Sequence, residues 1–312
     1  MNATNITIPG QTRFPLPLSI TLCALGTIVT FENSVIVAAS IRSPRLRQNI
    51  HHNLVLALSV GDLLLGVSAV STGARLALPW LSGILPLCIV NVFLQVTGIA
   101  MSHFQTFYIS FNRFLVITEN RLNMVLFNGH RKYILYAVSW TGVMTFIGSI
   151  MAPVKLANRK VCNVKIVYGN NYNLFRPIFL SFNALLLGLI IVFYILTLLG
   201  VRRRYRKTAP TIPTESTSQD RSVSVVVNQR DKMEKLRTKR FVHSMKLVSI
   251  ILGALMIFSG PIVFVNLSRE RPHTIIISTL CATTFNSLIN PIIYSWQISE
   301  LRQEIRKMFR LA

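Results

Sequence analysis

The chain has 312 residues, of which 51% are hydrophobic and only 14% charged, with a formal net charge of +23. A soluble domain is about a quarter charged, so this balance argues against one and points to a membrane protein. The positive charge does not imply nucleic acid, because the basic residues sit between long apolar runs and form no aromatic-interleaved patch.

The opening segment, MNATNITIPGQTRFP, is polar and has neither a basic n-region nor an early apolar stretch, so it does not read as a signal peptide. It carries two glycosylation sequons, at Asn2 and Asn5. Two sequons ahead of a membrane span favour a lumenal or extracellular segment, taken as residues 1–15.

Seven apolar runs follow, each near the roughly 20 residues that cross a bilayer. They cover Leu16–Ile41, Asn53–Leu78, Cys88–Ile117, Tyr133–Pro153, Phe175–Leu199, Arg240–Val265 and Thr274–Trp296. Such runs must satisfy their own backbone groups within the bilayer, so helices are expected. Basic residues collect after the first, third and fifth runs and after the seventh; Arg45, Arg47, Arg131, Lys132 and the RRRYRK run at 202–207 are examples. The positive-inside rule puts these loops in the cytoplasm and the N-terminus outside. The expected fold is an all-α membrane protein, a seven-helix bundle over residues 16–296.

The third inner loop, about residues 201–239, contains a Ser/Thr/Pro-rich stretch with little apolar periodicity and reads as a solvated linker with phosphorylatable hydroxyls. Residues 297–312 form the tail, where Ile298, Leu301, Ile305, Met308 and Phe309 share one helical face. A short basic amphipathic helix of this kind lies in the membrane interface, so lipids are expected partners.

Ordered landmarks in these runs resemble those of the rhodopsin-like G-protein-coupled receptors, and the resemblance covers nearly the whole chain. They are Asn33, Asp62, Cys88, the Asn112-Arg113-Phe114 triplet, Trp140, Tyr194, Pro261 and the NPIIY run from Asn290 through Pro291 to Tyr294. The resemblance implies a receptor, not an enzyme, that sits in the plasma membrane. It would bind an extracellular ligand and activate a heterotrimeric G protein. It implies a switch built on Asn112, Arg113, Phe114, Tyr194, Pro261, Asn290, Pro291 and Tyr294. It also implies a disulfide between Cys88 and Cys162. Arrestin and a receptor kinase are further implied partners, acting through the third inner loop.

Asp62 and Glu32 are the only acids well inside the runs. An intramembrane acid is by default a functional site whose partners must be found. For Asp62 the expected partners are Asn33, Ser102, Asn286, Ser287 and Asn290. Oxygen ligands around one carboxylate suit a small hard cation or a water cluster. The resemblance implies a sodium ion there; no other cofactor is expected. Glu32 reads as a satisfied buried acid.

Several positions depart from the family pattern. Gln95 stands where amine receptors carry an aspartate, and a neutral amide cannot neutralise a desolvated cation. An amine ligand is disfavoured. No lysine lies in the seventh run, so a retinal Schiff base has no amine. Ser259 replaces the tryptophan before Pro261, Leu186 replaces a proline, and His103 replaces an aliphatic residue. The outer loops carry Arg75, Arg159, Lys160 and Arg176 among other cations, so an anionic or acidic-peptide ligand is the sharper expectation and a generic solvated surface the plainer one. A pocket is expected from Gln95, Gly98, Ile99, Met101, Phe182, Phe258, Ile262 and Cys281. Alternatives to a signalling receptor are a weakly signalling or decoy receptor and, with less support, a transporter or channel.

Arg113 lies in the run FYISFNRFLVI. Snorkelling to the nearby interface would account for it alone; the resemblance makes it the G-protein-contacting arginine. Its neighbour is Asn112 where the family has an aspartate. An amide offers no opposite charge, so elevated basal signalling is expected.

Overall fold

The computed structural model describes residues 16–151, 162, 164–207, 253–255, 257, 258, 260 and 273–310. Among these, all regular structure is helical. Span 1 is Leu16–Arg42, span 2 Ile50–Ala77, span 3 Leu85–Ile117, span 4 Arg131–Ile150 and span 5 Tyr172–Lys207. Span 7 is His273–Gln297, and the tail forms an amphipathic helix over Ser299–Arg310. Of the run expected as span 6, only residues 253–255, 257, 258 and 260 are described, and they are helical. Pro261, Ile262, Asn2, Asn5 and most of the third inner loop lie outside the described residues.

The helices overrun the apolar stretches where local chemistry allows it. Span 3 starts before Cys88 because Pro86 falls in its first turn, where a missing N–H is harmless. Span 5 continues through the basic residues to Lys207. Arginine and lysine are good helix formers, so loss of apolar character does not end the helix. Span 4 stops at Ile150, short of the expected Pro153.

Glycines set the closest contact. A Cβ on Gly26 would lie 2.7 Å from the backbone N of Val70, and one on Gly73 would lie 2.8 Å from the carbonyl of Ser19. Gly66 meets Thr30 in the same way. Spans 1 and 2 therefore touch backbone to backbone along a small-residue seam, the packing that membrane helices favour. Outward-facing side chains such as Phe31, Val138, Leu185 and Ile292 are exposed and large, as a lipid-facing surface requires.

Two of the apolar clusters among the described residues lie toward opposite ends of the bundle. The inner one joins Ile36, Leu54, Leu58, Ile109 and Tyr294 to Leu301 of the amphipathic helix. The outer one joins Cys88, Val92, Ile147, Tyr168 and Phe175. Ile298, just ahead of the amphipathic helix, and Leu301 within it are buried, Ile305 and Met308 pack on the inner core, and Phe309 is exposed. Four of the five expected apolar positions thus face the bundle. The exception, Phe309, turns away from it in the last turn. A His52 Nε2 to Glu300 contact of 3.2 Å ties this helix to the start of span 2.

Candidate functional site

Asp62 is fully buried at the middle of span 2. An isolated carboxylate there would be costly, so its oxygens need donors. The Ser287 hydroxyl donates to Oδ1 at 2.7 Å, and Asn290 Nδ2 donates to Oδ2 at 2.9 Å. The Ser102 hydroxyl also bonds the carboxylate. Asn33 does not reach the carboxylate directly. Its Nδ2 donates to the carbonyls of Val29 at 3.0 Å and Ser287 at 3.4 Å, so it holds span 7 in place behind Asp62. Three amide oxygens, Oδ1 of Asn33, Asn286 and Asn290, are buried without a protein partner among the described residues. Such oxygens seek a cation or water. With one carboxylate and two hydroxyls they form an oxygen-only donor set, which fits a hard monovalent cation. Glu32 also has a buried carboxylate oxygen, Oε2, with no hydrogen-bond partner among the described residues.

At the inner end of span 3 the phenylalanines form a ladder. Phe107 stacks on Phe111 at 5.8 Å between ring centres, and Phe111 and Phe114 meet Phe193 of span 5 at 5.0 and 5.3 Å. This ladder fixes the rotation of the helix and leaves Arg113 half-buried at its end. Tyr194 packs against the inner core, and Tyr294 is fully buried in that core. The Tyr294 hydroxyl has no hydrogen-bond partner among the described residues.

Asn112 has a partner that the sequence did not suggest. Its Nδ2 donates to Oδ1 of Asn123 at 2.8 Å. Asn123 sits on a short helix, Leu122–Phe127, in the second inner loop. The residue beside Arg113 is thus tied to the loop. Nothing about a polar residue in a loop could have singled out Asn123.

A second buried link joins spans 3 and 5. His103 Nδ1 lies 2.6 Å from Oδ1 of Asn183. Asn183 Nδ2 already donates to the Phe179 carbonyl at 2.7 Å, so its oxygen is the acceptor and the histidine proton sits on Nδ1. A lone asparagine inside the apolar run LSFNALLLG was the available signal for this site.

The expected pocket is partly core. A Cβ on Gly98 would lie 3.0 Å from the backbone N of Leu65, so Gly98 is the contact between spans 2 and 3 and does not line a cavity. Met101 is fully buried beside Gly61. Ile99 is buried with Leu22, Leu65 and Ile277, with Cys281 packed alongside. Both residue types suit either role, and only helix rotation distinguishes them. Gln95 and Phe182 are half-buried, and Phe182 stacks over Phe104 at 6.1 Å. Phe258 meets Phe285 of span 7 at 5.1 Å.

At the outer end, Cys88 and Cys162 form a disulfide with a Cα separation of 5.7 Å, the pairing the resemblance implied. Arg75 is largely buried at the outer end of span 2, and one of its guanidinium nitrogens donates to Thr72 Oγ1 at 3.3 Å.

A helical bundle with long apolar spans, a buried carboxylate clasped by span 7 and a disulfide at one rim are the features of a multi-span helical membrane protein. Residues 32–294 match the family described as 7 transmembrane receptor (rhodopsin family). The chain belongs to that family, so it is a multi-pass membrane receptor and not an enzyme. It is similar to G-protein coupled receptor 12 of Homo sapiens, at 24% identity over 300 residues, covering 93% of this chain and 80% of that protein. It is similar to the protein of the same name from Rattus norvegicus at 25% identity over 301 residues, with the same coverage.

Proposed function

We propose that this receptor binds an extracellular ligand at the plasma membrane and activates a heterotrimeric G protein through its inner face. The observation that carries the reading is the inner end of span 3. Arg113 stands there, and Tyr194 and the buried Tyr294, whose hydroxyl lacks a partner among the described residues, both belong to the inner core. An arginine released toward the cytoplasm and two tyrosines able to receive it are what a two-state inner face needs. Asn290 and Pro291 follow Asp62 on the same path, because Asn290 bonds that carboxylate directly. A motion of span 7 would therefore be felt at both places. Arrestin and a receptor kinase would act on the third inner loop after activation.

The oxygen cluster at Asp62 would hold a sodium ion in the resting state. Asp62, Ser102 and Ser287 would hold it, with Asn33, Asn286 and Asn290 offering the remaining buried oxygens. The ion would supply charge neutralisation for the carboxylate and keep spans 2, 3 and 7 together.

The ligand is best read as anionic or as an acidic peptide. The largely buried Arg75 favours this, since no carboxylate partners it among the described residues.

Guanine-nucleotide exchange on purified G proteins, with the receptor reconstituted in vesicles, tests the reading. Wild type should accelerate exchange with at least one G-protein class, and Arg113→Ala should lose most of that acceleration. A wild type inert toward every class while correctly inserted would instead indicate a decoy receptor.

A further inference from the structure

The outer end of span 2 encloses a cation that meets no anion among the described residues. Arg75 is 7% exposed, and a guanidinium enclosed to that degree ordinarily has a carboxylate beside it. Of the 10 acidic residues in the sequence, only Glu270 falls in an outer segment, and it lies outside the described residues. Asp62 is on the same helix as Arg75 but about 20 Å away by the helical rise. Glu32 sits in the middle of span 1, and the remaining acids fall in the inner loops or the tail.

The groups that do meet Arg75 are neutral. One guanidinium nitrogen donates to Thr72 Oγ1 at 3.3 Å. Asn91 of span 3 is buried against the same pair. With its amide turned so that each atom meets its complement, Oδ1 accepts from the Thr72 hydroxyl at 2.9 Å and from the Arg75 guanidinium. Its Nδ2 then donates to the Ser71 hydroxyl at 3.1 Å and to the Ser68 carbonyl at 2.8 Å. These contacts hold the guanidinium in place and leave its Nε–H buried with no partner among the described residues. Ser71 lies one turn before Arg75, on the same face of the helix. Its hydroxyl accepts from Asn91, so its own proton remains to be donated. The negative end of span 2 offers at most about half a charge. Two of its carbonyls are already taken, that of Ala74 by the Leu78 N–H at 2.8 Å and that of Arg75 by the Ser82 hydroxyl at 3.3 Å.

The surroundings select the kind of anion. One buried cation in a shell of hydroxyls and amides balances one negative charge. A sulfate or phosphate dianion would leave excess charge in a poorly solvated place. Because Nε is itself buried, the group that reaches it must be small. Chloride meets both conditions. It is monovalent, accepts from N–H and O–H donors, and is the abundant small anion outside cells. The surplus of cations in the outer segments, Lys155, Arg159, Lys160, Lys165 and Arg176 among them, would raise its local concentration at this rim.

We propose that Arg75 and Ser71 hold a chloride ion at the outer ends of spans 2 and 3. The ion neutralises the guanidinium and steadies the Asn91 bridge between the two spans. An acidic ligand would compete for the same Nε–H, but the chloride site needs no ligand and does not depend on that reading.

The test uses purified, ligand-free, full-length receptor in nanodiscs of neutral lipid, with potassium chloride exchanged for potassium gluconate at constant ionic strength. Binding is read as broadening of the chloride NMR line and as a shift in melting temperature. Wild type should broaden the line saturably and melt about 2 °C higher at a chloride concentration tenfold above half-saturation. Arg75→Gln should abolish both responses. Ser71→Ala, at a half-buried position, should raise the half-saturating concentration about tenfold, and it keeps the test decisive if the Arg75 variant does not fold. Lys165→Gln, which removes an exposed outer charge, and Glu270→Gln should change neither response. A wild type indifferent to the exchange would overturn the proposal, as would an unchanged response in Ser71→Ala or Arg75→Gln. Equal stabilisation by potassium sulfate would mark a general salt effect and also overturn it. Tighter chloride binding in Glu270→Gln would identify that acid as the resident partner of Arg75, with the same consequence. With no ligand present, failure here leaves the reading of an acidic ligand standing.

Discussion

Replacing Asn112 with aspartate probes how Arg113 is restrained. In the wild type the Asn112 amide makes one neutral hydrogen bond, 2.8 Å to Asn123, a contact contributing about 0.5–1.5 kcal/mol. Aspartate has no N–H to donate. The Asn123 amide must then turn and donate its own N–H, giving a charge-assisted bond of about 1.5–3 kcal/mol. The new carboxylate also stands next in sequence to the Arg113 guanidinium. At an effective dielectric near 20 and a separation of about 4 Å that attraction reaches about 4 kcal/mol, an upper bound for a pair near the interface. Only the part lost when the inner face opens shifts the equilibrium. A differential of about 1.4 kcal/mol, well within these limits, lowers the active fraction tenfold. The assay is ligand-independent guanine-nucleotide exchange, normalised to receptor at the surface. Wild type should show clear basal exchange and Asn112→Asp roughly a tenth of it. Unchanged basal exchange in the variant, or none in a wild type present at the surface, would refute the reasoning.

Other outcomes follow from the packing. Cys88→Ser should cost about 2–5 kcal/mol of stability, because the bond closes a separation of 74 residues; thermal inactivation of the purified receptor reads this. Gly73→Val should lower surface abundance, since a Cβ there lies 2.6 Å from Cys23 Sγ and 2.8 Å from the Ser19 carbonyl, and overpacking of this kind costs about 1–3 kcal/mol. Gly142→Val, where nothing among the described residues lies within 4 Å, should leave abundance unchanged. His103→Phe and Asn183→Leu should each destabilise by about 1–3 kcal/mol by orphaning the other's buried polar group. The double variant should lose less than the sum, as a double-mutant cycle on melting temperature would show.

The apolar runs and the buried acid at position 62 were legible in the sequence. Hydropathy and charge act over one segment at a time, and a bilayer imposes them on every span separately. The disulfide came from resemblance. The tertiary structure decided which polar group finds which. Asp62 meets Ser287 across a separation of 225 residues, and Asn33 turns to the Ser287 backbone instead of the carboxylate. Gly98 faces span 2 because the two backbones touch there. Asn112 reaches a loop residue that no pattern marks. The Lys132 ammonium reaches the Arg47 carbonyl, 85 residues away in the chain. Each of these depends on how one helix is rotated and raised against another. That register is set by packing between distant segments, so a local pattern can place a residue in the membrane without saying what it will face.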